Sequence, residues 1–233
     1  MSGDLVMYQA PYSKTDRRGV RHMIDVHWRI SNPQIFASAL TTMELRSHAT
    51  SIAALGNAAR AVGSVHALAL ACIHRVAHHG DEERLIWIYD IHLVAERLTA
   101  GEREQFIDLA NAKQLTTVCG DGLRVAEQRF RGRGVSSLFT SLAARTAGRH
   151  ERSEIYATGR MRKVDVLISD LTVLEGWRPR MKLLREHLFP PRSYVRQVYG
   201  LSNDAFLPLF YVWRIARGAT KWWRRARPHH DHK

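Results

Sequence analysis

The sequence predicts an α+β protein that is predominantly α-helical, with a short N-terminal antiparallel β-hairpin followed by a helical bundle. Two observations support this fold class. Apolar and polar residues alternate between Val20 and Ile30, as they do in a strand with one packed face. After Asn32 the alternation ends, and helix-capping residues precede one apolar stretch after another. With 233 residues, the chain is long enough for one sizeable domain or two small ones.

The composition excludes several classes of protein. Hydrophobic residues make up 45% and charged residues 24% of the chain, which argues against wholesale disorder and fibrous repeats. No apolar run reaches the roughly 20 residues of a membrane span, and no signal-peptide pattern opens the sequence. We therefore expect a cytoplasmic protein without a membrane span. Its 35 Lys and Arg against 22 Asp and Glu give a formal charge of +13, which favours polyanionic partners.

The predicted hairpin consists of strands over residues 5–12 and 20–30, joined by the turn-rich segment 13–19. One face of the second strand carries Ile24, Val26, Trp28 and Ile30, and the other carries Arg21, Asp25, His27 and Arg29. The first of these faces is expected to be packed and the second to be wet.

Asp25 is the candidate for chemistry on the wet face. A carboxylate there can bind Mg²⁺ or act as a base, because carboxylate oxygens suit hard cations. The alternative is a solvated strand face on which Arg21 and Arg29 pair with Asp25.

The remaining elements are helices, each inferred from a local signal. Asn32 and Pro33 form an N-cap and N1 pair, Ser64 is an N-cap with Gly80 as the stop, and Thr99 to Glu102 form a capping box. Helices are predicted over 33–40, 64–79, 82–98, from 99 onward, and near 115–130, 135–147, 163–171, 193–199 and 204–225, with a loop over 49–63. The predicted domains are the hairpin over 1–31, a helical domain over 32–227 and a disordered tail over 228–233.

Asp90 lies inside the apolar run of the helix predicted over 82–98. A buried unpaired carboxylate is costly, so we expect Asp90 to have a partner or to be functional. A short turn near residue 82 makes this helix an antiparallel neighbour of the one before it. Asp90 and His74 are then equally far from the turn, with His78 one helical turn along from His74. We expect Asp90 to contact His74, or Arg75 if the helix is rotated.

Three interpretations of this cluster remain open. Asp90 and His74 can be a structural pair, the group can surround a substrate phosphate, or it can bind a metal ion through its His-x-x-x-His spacing. The residues concerned are His74, His78, His79 and Asp90. Arg75 stands where a zinc protease has its Glu, which argues against that class. A helical phosphohydrolase using His74, His79, Asp81 and Asp90 is disfavoured because Gly80 separates His79 from Asp81.

The C-terminal segment is strongly basic and rich in Trp. Residues 213–233 contain seven Lys or Arg and one Asp. Such a mixture can bind nucleic acid or anionic lipid weakly. The alternative is an amphipathic helix whose Trp-bearing face docks on the protein.

Eight stretches carry a family resemblance: residues 24–32 (IDVHWRISN), 66–68, 71–79 and 84–93, and further along 167–171, 184–190, 207–211 and 217–218. Together they resemble the uncharacterised bacterial nucleotidyltransferase family, which is placed in the polymerase-β-like nucleotidyltransferase superfamily. The likeness extends over nearly the whole chain from about residue 15.

The resemblance implies that a nucleotidyl group passes from a nucleoside triphosphate to an acceptor hydroxyl, with Mg²⁺ and no organic cofactor. In the superfamily, two acidic residues after a Gly-Ser or Gly-Gly turn and a third carboxylate on a later strand hold two Mg²⁺ ions. Asp25, between Ile24 and Val26, matches the third carboxylate and would be the metal ligand. The expected site residues are Asp25 and His27 as catalytic groups, and Arg29, His74, Arg75, His78 and Asp90 as substrate-binding groups.

The first two carboxylates have no match in this sequence, since no Asp-x-Asp follows Gly63 and Ser64 at a suitable distance. One carboxylate does not hold two metal ions, so we expect the chain alone to be impaired or inactive. Either a further N-terminal segment or a partner chain supplies the rest of the site, or the chain is a truncated remnant. Without that portion, an apolar patch at Ile24, Val26 and Trp28 is expected to be exposed. The alternative function is a non-catalytic helical module that binds polyanions or a protein.

Overall fold

The structure is a computed structural model that describes residues 5–79, 84–146, 148, 150–158, 162–200 and 204–222. The fold is α+β and mainly helical with an N-terminal β-hairpin, which confirms the predicted class. The described residues form two compact units, one made of residues 5–38 and 162–222 and the other of residues 39–158.

In chain order the elements are β1 (Gln9–Thr15), β2 (Arg21–His27), α1 (Gln34–Ala37), α2 (Thr42–Ser47), β3 (Thr50–Ser51), β4 (Arg60–Ala61), α3 (Ser64–His79), α4 (Leu85–Arg97), α5 (Ala100–Ala112), α6 (Thr116–Phe130), α7 (Arg133–Thr146), α8 (Lys163–Val173), α9 (Trp177–Leu188), α10 (Arg192–Tyr199) and α11 (Leu207–Trp222). Short 3-10 helices occupy Ala53–Leu55, Arg152–Thr158 and Asp204–Phe206. None of the described helices is long and apolar enough to cross a membrane.

The hairpin pairs β1 with β2 in an antiparallel register that runs from Gln9 opposite His27 to Thr15 opposite Arg21. Asp16 shapes the connecting turn, because its Oδ1 accepts the backbone N–H groups of Arg18 and Val20 at 2.9 Å each. The two strands are therefore held by a local turn and by their own ladder.

The apolar side chains of the hairpin are exposed on both faces. Ile24 is 65% exposed and Trp28 42%. The exposed set is Tyr12, Val20, Met23, Ile24, Val26 and Trp28. The expected patch at Ile24, Val26 and Trp28 is therefore confirmed. The expectation that this face of β2 is packed is wrong. Alternation of apolar and polar residues shows which face of a strand could be buried, but it does not show that another element covers that face.

Several helix limits agree with their sequence signals. Helix α3 covers Ser64–His79 as predicted. At the start of α5, Thr99 and Glu102 form the expected reciprocal capping box. Asn32, in contrast, does not cap α1, because its Oδ1 accepts the backbone N–H of Tyr8 at 3.0 Å.

Two helices and two short strands were not predicted. Helix α2 begins with a capping box between Thr41 and Glu44, and α9 carries Pro179 in its first turn, where proline is tolerated. The segment expected to be a loop contains the two-residue ladder of β3 with β4.

The core of the second unit lies where α3, α4 and α6 pack together, with α7 against α6. Its centre is tight at Gly122, where an added Cβ would lie 2.9 Å from the Cys72 Sγ and 3.3 Å from the Ile91 Cδ1. Cys72 and Cys119 are both buried free thiols. Its most buried side chains include Leu68, Ile73, Ile88, Ile91, Phe106, Ile107, Leu115 and Leu123.

Candidate functional site

Asp25 lies in the middle of β2, opposite Pro11, with an exposed side chain. His27 follows at two-residue spacing at the end of β2 and so lies on the same face as Asp25, whereas Arg29 lies beyond the end of the strand; both are exposed. The Arg29 Nη1 donates to the Ser38 Oγ at 2.7 Å. The structure therefore places Asp25 and His27 on one face of β2 and leaves them, like Arg29 beyond the end of the strand, open to solvent.

The alternative in which Asp25 is paired by its neighbouring arginines is not what the described residues show. Arg21 donates to the Ser13 Oγ at 3.4 Å, and Arg29 bonds to Ser38. The Arg29 guanidinium also lies 4.8 Å from the centre of the Tyr8 ring. The carboxylate of Asp25 is thus left accessible to a ligand.

A buried polar network anchors the chain on either side of the hairpin. The Gln34 side chain donates to the Tyr8 Oη at 2.9 Å and to the Leu5 carbonyl at 2.6 Å. The Gln34 backbone N–H donates to the Asp170 Oδ1 at 2.6 Å. Because Asp170 is only 5% exposed, burial raises its pKa to about 7 against the lowering effect of that single hydrogen bond.

Arg75 is buried in α3, with 1% of its surface exposed. Its guanidinium forms an ion pair with Asp121 of α6, which also pairs with Arg124. The alternative contact expected between Asp90 and Arg75 is replaced by this pair. The ion pair of Arg75 with Asp121 connects the packed helices α3 and α6. No signal in the sequence indicates this pair, because the two residues are 46 positions apart.

The apolar run around Asp90 does not bury its carboxylate. Helix α4 turns Ile88, Ile91 and Ala95 into the core, and Asp90 is exposed. At about 100° per residue, Asp90 points almost opposite to Ile88. The described part of the chain gives Asp90 no hydrogen bond or ion pair with His74.

His74 is also exposed, and its ring meets the Trp87 ring edge-on with 5.9 Å between centres. The side chains of His78 and His79, and residues 80–83 with Asp81, lie outside the described residues. The interpretations that use these residues, including the phosphohydrolase, stay predictions. Among the residues that are described, no group of three or more His, Cys, Asp or Glu side chains could hold a metal ion.

A titratable cluster that was not predicted surrounds Glu44 in the second unit. The Lys113 Nζ lies 2.8 Å from the Glu44 Oε2, and the His66 Nε2 lies 3.6 Å from the Glu44 Oε1. The His48 and His66 rings lie 4.6 Å apart, centre to centre. The Thr41–Glu44 capping pattern was the sequence signal that could have located Glu44.

The charges of this cluster are set by burial and by proximity. Burial, helped by nearby His48, lowers the pKa of His66. Burial alone would raise the pKa of Glu44, but the hydrogen bond and charge of Lys113 lower it overall. Burial thus favours the neutral form of the His66 imidazole, which lies beside the Glu44 carboxylate.

A cavity of about 400 Å³ opens between α6, α7 and the 3-10 helix Arg152–Thr158. Its lining includes Thr117, Asp121, Arg124, Phe139 and Glu154. The backbone N–H groups in the first turn of α6 already have an acceptor. The Glu151 carboxylate accepts those of Thr116 and Thr117 at 3.1 and 2.9 Å. The cavity therefore offers no free helix N-terminus to an anion.

The comparison with protein families gives a direct result. A family described as uncharacterised nucleotidyltransferase matches residues 5–131, which is more than half of the chain. The chain belongs to this uncharacterised nucleotidyltransferase family. No curated protein and no solved structure matches it.

The part matched to the nucleotidyltransferase family contains all the site residues predicted from the sequence. It includes the hairpin, α1 to α6 and the Glu44 cluster, and it ends at Arg131. The resemblance noted for stretches 167–171, 184–190 and 207–211 lies beyond the match.

Asp25 is the residue expected, from the sequence resemblance, to match the third metal-binding carboxylate of nucleotidyltransferases. Two Mg²⁺ ions need many more oxygen ligands than one carboxylate supplies. No metal-holding cluster occurs in the described residues. These residues therefore fit one ligand of a two-metal site and not the whole site.

Proposed function

We propose that this chain takes part in the transfer of a nucleotidyl group from a nucleoside triphosphate to an acceptor hydroxyl, and that it is impaired or inactive when alone. The observation that supports the proposal is membership of the nucleotidyltransferase family over residues 5–131, with Asp25 exposed on β2 inside that range. The acceptor is left open. The proposal places the chain in the cytoplasm, where nucleoside triphosphates are made and used.

The hairpin is suited to completion by another segment. Within the described residues its sheet has only the strands β1 and β2, so each has an unpaired edge. An exposed edge with apolar side chains can accept a further strand. We propose that a segment of this protein or a partner chain adds its strands there and brings the missing carboxylates next to Asp25.

The proposed roles on β2 follow from the chemistry of the side chains. Asp25 provides one carboxylate ligand for Mg²⁺, which would neutralise phosphate charge when bound. His27 lies two residues further along the same face, where it can hold or accept the proton of an acceptor hydroxyl. Arg29 provides positive charge toward the triphosphate.

Arg75 is not part of this proposal, because it is buried in its ion pair with Asp121. His74 and Asp90 are exposed on α3 and α4, and with His78 they stay predictions for substrate binding.

The test uses Mn²⁺ with a nucleoside triphosphate as a paramagnetic probe of the full chain. We expect weak binding that broadens the amide resonances of β2 in NMR spectra, because Asp25 supplies an oxygen ligand. Asp25→Asn should abolish the broadening at β2. Asp108→Asn, on the exposed face of α5, is the control and should leave it unchanged.

Turnover is measured on the same variants with α-labelled nucleoside triphosphates and Mg²⁺. We expect almost no label transfer by the chain alone. Transfer at the same rate in the unmodified chain and in Asp25→Asn would place the catalytic carboxylates elsewhere and overturn the role of Asp25.

The second candidate is a non-catalytic module that binds polyanions or a protein. It is favoured by the formal charge of +13 and by the exposed apolar hairpin. Polyanion binding that weakens steeply with salt, together with no Mn²⁺-nucleotide signal at β2, would select this function instead.

A further inference from the structure

Helix α11 carries an apolar stripe that faces solvent. Leu209 is 67% exposed, Val212 65% and Trp213 45%. These residues recur at three- and four-residue spacing, so they form one continuous face together with Ala216. Phe206, in the 3-10 helix just before α11, is 57% exposed as well.

The opposite face of α11 is the one that packs within its own unit. Leu207 is buried, and the Tyr211 Oη donates to the Pro190 carbonyl at 2.8 Å. Arg214 donates to the His187 carbonyl at 2.6 Å. Since this face already holds the helix in place, the Leu209–Val212–Trp213 stripe is not needed for docking. The interpretation in which the Trp-bearing face packs on the protein does not hold for Trp213, and for Trp222 and Trp223, whose side chains lie outside the described residues, it stays a prediction.

The charged residues in this stretch of the sequence all have one sign. No Asp or Glu occurs between Asp204 and Asp231, and the stretch carries Arg217, Lys221, Arg224, Arg225 and Arg227 in addition to Arg214 on the packed face. The Arg217 guanidinium lies 5.1 Å from the centre of the Trp213 ring, which puts a positive charge at the border of the apolar stripe. Apolar residues with Trp on one side and only basic charges beside them are typical of helices that lie in the interface of a lipid bilayer.

The aliphatic residues at the middle of the stripe distinguish lipid from nucleic acid. Bases stack on aromatic rings, and a nucleic-acid surface is built from aromatic and basic side chains. Leu209 and Val212 are neither, and they gain free energy only when an apolar medium replaces water. Acyl chains below a layer of phosphate provide that medium together with the matching charge.

We propose that α11 binds the surface of an anionic lipid bilayer, with Leu209, Val212 and Trp213 among the upper acyl chains and the basic side chains at the level of the phosphates. The helix lies in the plane of the surface and does not span it. This surface is independent of the nucleotidyltransferase proposal, because α11 lies outside the matched residues 5–131.

The test is co-sedimentation of the full chain with vesicles. We expect binding to vesicles that contain phosphatidylglycerol to be at least about tenfold tighter than to pure phosphatidylcholine, because several basic residues each add favourable attraction. The double variant Leu209→Ser/Val212→Ser should lose roughly tenfold or more of that affinity, since it removes apolar burial alone. Met43→Ser, at an 82% exposed position on α2, is the matched control and should bind like the unmodified chain.

Three results would overturn the proposal: no binding to anionic vesicles, equal binding to neutral ones, or full affinity in the double variant. Circular dichroism confirms that the variants are folded. If single-stranded RNA binds instead, with a loss in Trp213→Ala and none in the Leu209/Val212 variant, the helix is a nucleic-acid surface and the lipid proposal fails.

Discussion

Asp170 is a carboxyl group whose burial outweighs its single hydrogen bond. It accepts the backbone N–H of Gln34, yet its pKa is raised to about 7. In the unfolded chain an Asp titrates near 4, so the folded state binds one more proton between about pH 4 and 7. The free energy of unfolding contributed by this group is therefore highest at low pH and is lost as the pH rises through about 7.

Asp170→Asn should remove this pH dependence, because the amide keeps an oxygen for Gln34 and cannot ionise. We expect the variant to gain stability relative to the unmodified chain between pH 5 and pH 8, on the order of a few kcal/mol. Urea unfolding at the two pH values measures it. Thr172→Ala, exposed on the same helix, should show no such gain. A constant difference between Asp170→Asn and the unmodified chain at both values would contradict the prediction.

Where a helix begins could be predicted when the interactions that start it lie within a few residues of each other. Thr99 and Glu102 satisfy each other's backbone groups whatever surrounds α5, so that helix start was readable from the sequence. The same pattern at Thr41 and Glu44 marks the start of α2. Helix α9 escaped prediction because Pro179 and many charged residues obscure its apolar positions.

The rotation of α4 could not be predicted in the same way. Leu85 to Ile91 are apolar on nearly all sides, so the sequence leaves the buried face undetermined. Packing against α3 and α6 selects Ile88 and Ile91 and leaves Asp90 outside. The alternating pattern of β2 predicted a strand that carries Asp25, because it is a local signal. The pairing of Arg75 with Asp121 could not be predicted, because it depends on how α3 packs against α6.

Substitutions of exposed apolar residues in the hairpin of β1 and β2 should have little effect on the free energy of unfolding, unlike substitutions in a packed sheet. We expect Ile24→Lys to change the free energy of unfolding by no more than about 0.5 kcal/mol, because Ile24 is 65% exposed. Phe36→Ala, at a fully buried position in the same unit, should cost about 3–5 kcal/mol. Chemical denaturation compares the two. A loss above about 2 kcal/mol for Ile24→Lys would mean that this face is covered in the protein in solution.

At the scale of the whole molecule, the two units differ in how the chain builds them. The first is assembled from residues 5–38 and 162–222, which are far apart in sequence. The second is continuous over residues 39–158 and has its own core between α3, α4, α6 and α7. The family match includes the start of the first unit and most of the second, so family membership does not follow the division into units.

A fragment of residues 39–158 should fold by itself, because its core and its buried ion pair are contained within it. We expect a helical circular dichroism spectrum and a cooperative thermal transition. Asp121→Ala should destabilise the fragment and the full chain alike by about 1–3 kcal/mol, since it removes a carboxylate that accepts from buried Arg75. Arg124→Ala, which removes the more exposed partner, should cost less than about 1 kcal/mol. A fragment that melts without cooperativity, or that does not respond to Asp121→Ala, would show that this unit depends on the rest of the chain.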